Sequence, residues 1–179
     1  MTEQDILRTE LRWGAVVAGV VGLILVVVVA SSLALALNPP SHVEPVDPQT
    51  LGQNGEFAEA NLGTAVGPDG AVTVRVVATQ FAFVPRCIPV PASQRVTIRL
   101  ASPDVIHGIL VTGTNVNTMV VPGYVSEVHV AIERTGDLLM PCHEYCGVGH
   151  SEMWATVRVV PQDQWHPDRN GKVSCDAPG

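Results

Sequence analysis

Positive charge is scarce in this sequence of 179 residues: ten Lys and Arg stand against seventeen Asp and Glu, for a net charge of −7. A surface of that sign repels a phosphate backbone, which excludes nucleic acid as the partner. Long apolar runs are equally few. One uncharged stretch of 24 residues runs from Gly14 to Leu37, and nothing after Asn38 approaches it in length. Everything beyond that stretch therefore stays on one side of any membrane it crosses. The stretch has no His or Met to ligate a haem. Helix-period spacing is missing after residue 38, which argues against a bundle or a βαβ domain. Internal repeats and low-complexity tracts are also absent, which removes solenoid architectures.

What is present begins with that stretch. Apolar residues make up 46% of the chain, more than a small soluble domain requires. As a helix rising about 1.5 Å per residue, the stretch spans about 36 Å, enough to cross a hydrocarbon core of roughly 30 Å with some tilt. A cleavable secretory signal is the alternative, since Ala34-Leu35-Ala36 offers a small-x-small site. The run is longer than a signal's apolar region, and the residues before it mix Arg8 and Arg12 with Glu3, Asp5 and Glu10, so a retained anchor is expected. Arg8 and Arg12 place residues 1–13 in the cytoplasm and the rest outside, with Trp13 at the inner boundary. Outside lie eight basic and fourteen acidic residues. That balance suits a cationic soluble electron carrier, or simply solubility.

Asn38-Pro39-Pro40 ends the helix, and residues 38–71, rich in Pro, Gly, Asn and Asp, read as a linker crawling over the domain, with one helical turn near Gly55–Asn61. From Val72 to Pro161 the texture is short alternating segments: Val72–Val76, Arg95–Leu100, Ile106–Thr112, Tyr124–Ile132 and Ala155–Val160. They predict an all-β sandwich or barrel of Greek-key type whose last hairpin carries any inserted loop, followed by a tail over 162–179.

The chemistry concentrates in Pro141-Cys142-His143-Glu144-Tyr145-Cys146-Gly147-Val148-Gly149-His150-Ser151-Glu152-Met153-Trp154, whose skeleton is Cys-x3-Cys-x3-His-x2-Met. Thiolate, imidazole and thioether form a soft donor set that selects copper over magnesium, calcium or manganese. His107, at a strand start after the turn Ser102–Ile106, is the natural donor from elsewhere in the chain. A blue-copper site needs one cysteine, two histidines and an axial methionine, whereas here there are two cysteines. Two thiolates can bridge two copper ions, leaving one imidazole each, with Met153 and a loop carbonyl as weak axial ligands. Charge shared over two metals on a rigid loop suits fast electron transfer.

This strand-rich domain, with His107 upstream of Cys142, Glu144, Cys146, His150 and Met153, resembles the CuA domain of cytochrome c oxidase subunit II. Together with one anchor, Thr79-Gln80-Phe81-Ala82-Phe83, Ser102–Gly108 and Pro122-Gly123, it is similar to the short subunit II of ba3-type (B-family) haem–copper oxidases. The resemblance implies a cupredoxin-like fold and a binuclear CuA centre of two copper ions. Cys142 and Cys146 would bridge both, His107 and Met153 completing one and His150 and the Glu144 carbonyl the other. The Glu144 side chain matches a position that in many members helps to hold magnesium against subunit I, although ba3-type members often lack the acid. Phe81 and Phe83 replace the aromatic electron-entry segment of the larger A-family, and Trp154 is a further candidate for electron entry. Implied partners are the catalytic subunit I, a soluble cytochrome c or small copper protein, and membrane lipid. The implied location is a bacterial inner membrane, with the CuA domain in the periplasm.

Other readings cover part of the set. Cys142 and Cys146 could pair as a disulfide, or join His107 and His150 around zinc, but neither needs Met153. A copper chaperone of thioredoxin type needs a βαβ texture, and a tethered copper-storage protein would want an open site. A haem–copper nitric oxide reductase could use the same subunit, since the catalytic subunit decides the gas. Nitrous oxide reductase is excluded, its propeller having no room in this chain. Cys87 and Cys175 are left over, and in an oxidising space they are expected to pair, pinning the tail to the Phe83–Pro89 turn. His42, His129, His143 and His166 are read as non-ligands, and Met119 and Met140 as core.

Overall fold

The computed structural model describes residues 2–35, 44–53 and 55–175 and separates the chain into two units, Met1–His42 and Val43–Gly179. In the first, helix α1 runs Glu3–Leu35. It begins well before Gly14, at a first turn where the Asp5 carboxylate accepts from both the Thr2 backbone N–H at 3.0 Å and the Thr2 hydroxyl at 2.7 Å. Valines and leucines along it are exposed on every side, as expected for a helix whose solvent is lipid. Residues 3–33 are long and apolar enough to cross a bilayer. The expected end of the span at Leu37, and His42, lie outside the described residues.

The second unit is a two-layer sandwich. One sheet combines β1 (Gly63–Val66), β2 (Val72–Thr79), β3 (Ala82–Val84), β5 (Arg95–Ala101), β8 (Ser126–Ala131) and β11 (Lys172–Val173). The other holds β4 (Cys87–Pro91), β9 (Gly136–Pro141) and β10 (Trp154–Val160), and β6 (His107–Leu110) pairs with β7 (Asn117–Val120). The chain repeatedly passes between layers, so β2–β5 and β4–β10 pair in parallel. This is the Greek-key arrangement that the alternating segments predict. Alternation decides which face is buried: Val72, Val74, Val76 and Ala78 of β2 face Ile98 and Leu100 of β5 and Ala155, Val157 and Val159 of β10 in one core.

Several strands lie where the sequence reads as turns. Strand β4 contains Pro89 and Pro91, which is tolerable because β4 is an edge strand and its missing N–H groups leave no ladder partner short. The segment expected to crawl over the surface is partly woven in. Pro45 bridges to Tyr124, Leu51 and Phe57 are buried with Ala101 in a second small core, and β1 forms an inner strand between β2 and β11. Its helical turn is short, Glu59–Asn61. Cys87 is joined to Cys175, which fastens the tail to β4 across 88 residues of sequence.

Arg99, on β5, is the polar fastener of the outer face. Its guanidinium donates to Glu44 at 2.7 Å and to Glu56 at 2.6 Å and also meets Glu127 on β8; Arg75 donates to Glu56 at 3.0 Å. Partial burial works against charge on Glu56, but the hydrogen bonds from Arg99 and Arg75 outweigh it and hold its carboxyl below the usual value.

The stability Glu56 contributes is therefore fully present above the ordinary carboxylate value of about 4.3 and is lost as pH falls through its lower folded value. Arg99→Leu is expected to cost about 1–3 kcal/mol at neutral pH and to flatten the acid limb of the stability curve, read by urea unfolding across pH 3–7. An unchanged acid limb would count against this network. Thiol titration of the unfolded, metal-free chain without reductant should find two free thiols; four would exclude the Cys87–Cys175 bond.

Candidate metal centre

Strands β9 and β10 pair from Asp137↔Arg158 to Pro141↔Trp154, so the loop 142–153 is a closed excursion from one rigid hairpin. The Cys142 N–H donates to the Met153 carbonyl at 2.9 Å, which pinches the loop's base and places both side chains under it. At its far side His150–Glu152 forms a 3-10 turn, with the His150 N–H donating to the Gly147 carbonyl at 3.1 Å. Strand β6 brings His107 alongside, since Ile109 bridges to Cys142 and the His143 N–H donates to the Gly108 carbonyl at 3.2 Å.

These elements converge on a small volume. The Cys142 and Cys146 sulfurs are 4.0 Å apart and unbonded. Nδ1 of His107 lies 4.0 Å from Cys142 Sγ, and Nδ1 of His150 lies 3.6 Å from Cys146 Sγ. The Met153 thioether is 3.6 Å from Cys146 Sγ, and the Cys142 thiol donates to the Glu144 carbonyl at 3.2 Å. The donor atoms of His107, Cys142 and Cys146 all lie within 4.8 Å of one another. His107 and Met153 are essentially sealed from solvent, at 0% and 1% exposure, and both cysteines are buried.

This geometry separates the readings that the loop's residues leave open. A disulfide between Cys142 and Cys146 is absent, whereas Cys87 and Cys175 are joined in the same fold. Sulfurs 4.0 Å apart are close enough to share one ion at the roughly 2.3 Å of a metal–thiolate bond. A tetrahedral zinc site of Cys2His2 type leaves the buried Met153 thioether without purpose, whereas a soft copper site uses it. The residues present therefore fit copper. Burial pushes the Cys146 thiol up to about 11, and the neighbouring Cys142 sulfur adds to it. A thiol held this high ionises readily only when a cation takes the place of its proton.

Asp104 sets the orientation of His107. Its carboxylate meets Nε2 of His107 at 2.9 Å and accepts from the Gln80 N–H at 2.7 Å, the Val105 N–H at 2.6 Å, the Thr79 hydroxyl at 2.9 Å and the Ser102 hydroxyl at 3.1 Å. Partial burial opposes its charge, but the bonds from His107, the Gln80 and Val105 amides and Thr79 hold the carboxyl well below the usual range. A carboxylate can only accept, so the His107 Nε2 carries the proton and Nδ1 offers its lone pair toward the cysteines. Among the described residues no buried side-chain nitrogen or oxygen lacks a partner.

The remaining expected residues divide by exposure. Trp154 opens β10 at 47% exposure and borders a cleft formed with Leu139, Pro141, Cys142, His150 and Met153. Phe81 is half-buried against the loop. Phe83 is a correction: at 0% exposure it belongs to the core, because its place on β3 turns it inward, and it cannot receive an electron at the surface. Two large apolar residues of the loop that reach solvent, Tyr145 at 73% and Val148 at 93%, were not singled out by sequence reasoning. Their one signal is an aromatic and a valine inside an otherwise polar and glycine-rich loop. His143 lies exposed over Gly108, and His129 and His166 are exposed; Met140 is buried as expected, whereas Met119, at 38% exposure on β7, lies outside the core.

The model of the cytochrome c oxidase subunit II periplasmic domain matches residues 72–160. Two Thermus thermophilus proteins named cytochrome c oxidase subunit 2 are each 41% identical over 122 residues, which is 68% of this chain. The matches cover 90% of one relative and 72% of the other. A heme–copper terminal oxidase dimer solved by cryo-EM contains a chain similar over 83% of this one and 98% of its own length, with 27% identity and a TM-score of 0.60.

Removing the anchor of His107 tests the site. Asp104→Ala is expected to lower copper affinity about 10- to 100-fold, read by competition with a chelator, while far-UV circular dichroism stays that of a folded sandwich. Undiminished affinity would show that Asp104 does not orient this ligand.

Proposed function

The chain belongs to the cytochrome c oxidase subunit II family, and on that premise we propose that its loop and His107 hold a binuclear CuA centre. The chain is an electron-transfer subunit of a haem–copper oxidase, an all-β cupredoxin-like domain preceded by one apolar helix. Cys142 and Cys146 would bridge the two copper ions. His107 and Met153 would complete one, and His150 and the Glu144 carbonyl the other. The observation that carries this reading is two unbonded buried sulfurs 4.0 Å apart, each with an imidazole nitrogen within 4.0 Å.

When bound, the copper pair supplies one-electron redox chemistry with its charge shared between two metals. The protein's part is to keep the donors in place. The hairpin holds Cys142, the 3-10 turn holds His150 and Met153, and Asp104 holds the tautomer of His107. Exclusion of water from His107 and Met153 limits rearrangement when charge arrives.

Electrons would enter from a soluble cytochrome c or small copper protein at the exposed tip formed by Tyr145, Val148 and Trp154, and would leave to haem in subunit I for reduction of oxygen to water. The helix would anchor the chain with its N-terminus in the cytoplasm and the domain in the periplasm of a bacterial inner membrane. The Glu144 side chain is a candidate to bind magnesium at the subunit I face.

Cys142→Ser or Cys146→Ser should leave fewer than two copper ions per chain and abolish oxidase turnover of the assembled complex. Met153→Leu should keep both ions and shift their potential, as expected of a weak axial ligand. Elemental analysis with electron paramagnetic resonance is the measurement. One copper per wild-type chain, or full turnover without either cysteine, would overturn the assignment.

A further inference from the structure

The turn Thr79–Phe81, which joins β2 to β3, touches the metal centre from two directions without contributing a ligand. On one side the Gln80 N–H and the Thr79 hydroxyl donate to Asp104, the carboxylate that holds His107. On the other, the Gln80 side chain reaches across 66 residues of sequence, and its Nε2 donates to the Cys146 carbonyl at 2.6 Å. The Phe81 ring lies directly on the next part of the loop: a Cβ built at Gly149 would stand 2.6 Å from the ring, and one at Gly147 would stand 2.9 Å from it. Gly147 also adopts φ +131°, a conformation that side chains rarely take.

The peptide joining Cys146 to Gly147 is thus gripped at its carbonyl by Gln80 and covered on its glycine side by Phe81. Fixing that peptide plane restrains the backbone of Cys146 and so the position of its Cβ, which carries a sulfur whose neighbours lie 3.6–4.0 Å away. The hairpin base alone cannot do this, because its pinch acts at Cys142 and Met153.

We propose that Gln80 is a positioning residue of the metal centre: its side-chain amide clamps the Cys146 carbonyl and, through the shared Asp104, keeps the Cys146 and His107 halves of the ligand set in register. The copper part of this inference rests on the CuA reading, while the clamp itself exists without metal. A donor hydrogen bond of this kind, supporting the ligands from outside, commonly governs metal affinity about 10- to 100-fold.

The test uses the full chain in detergent, with Gln80→Met, which keeps the length of the side chain and removes its N–H donor. Gln162→Met is the control, because Gln162 also donates through Nε2 to a backbone carbonyl, that of Ala92 at 2.7 Å, away from the centre. In the metal-free protein, hydrogen exchange at the His150 and Glu152 amides, which donate to the Gly147 and Gly149 carbonyls, should quicken about tenfold in Gln80→Met only. In the copper-loaded protein, loss of copper to a chelator should quicken by a similar factor and the copper hyperfine pattern should change, again only in Gln80→Met. Unchanged exchange and release in Gln80→Met, or equal changes in Gln162→Met, would overturn the proposal. A wild-type chain that takes up no copper pair would overturn the CuA reading instead, and the exchange measurement would still decide the clamp.

Discussion

Two buried sulfurs held 4.0 Å apart, neither bonded to each other nor free to move away, are the constraint on which the rest of this domain depends. Burial, with the neighbouring Cys142 sulfur adding to it, pushes the Cys146 thiol up to about 11. A loop left to itself could part the sulfurs by opening or join them by oxidising. It does neither because it starts and ends on paired strands and is pinched between Cys142 and Met153. The sandwich is, in this sense, a frame for one closed loop.

The frame reaches the loop through polar contacts placed where the core cannot. Asp104 gathers donors from two separate stretches of chain, the Thr79–Gln80 turn and the Ser102–His107 segment. Arg99 does the corresponding work at the outer face of β5, gathering Glu44, Glu56 and Glu127 from segments far apart in sequence. In both cases one charged group replaces several weaker contacts, and its neighbours keep it charged. The two differ in purpose. Arg99 joins the entering segment to the sheet, whereas Asp104 sits one hydrogen bond from the candidate ligand His107 and fixes which of its nitrogens is free.

The loop was legible because its donors are consecutive: Cys142, Cys146, His150 and Met153 follow one another at fixed spacing, and the hairpin only has to close them. His107 was legible through its position at a strand start. Gln80 was not, since its partner is 66 residues away and a glutamine after a strand looks like any turn residue. Phe81 and Phe83 form an adjacent pair of aromatics to the eye, yet β3 starts between them; one lies on the loop and the other is lost in the core. Strand β4 was hidden by its prolines. Pro89 and Pro91 signal a turn unless the strand lies at an edge, and which strand lies at an edge is decided by β10, far along the chain.

Glycines at 147 and 149 reconcile two demands on the loop that otherwise conflict. Its metal side must be rigid and dry, which calls for close packing against Phe81; its outer side carries Tyr145 and Val148 into solvent at 73% and 93% exposure. A side chain at either glycine would hold the ring off and let the loop lift, bringing water to Cys146. Without a Cβ there, the aromatic ring can lie flat on the backbone, so the same few residues are packed from beneath and exposed above. Cys146 is buried, while Val148, two residues further on, is 93% exposed. Protection of the donors and access to them are thereby obtained from a single layer of backbone, which explains why the loop is short and why its glycines stand next to its ligands.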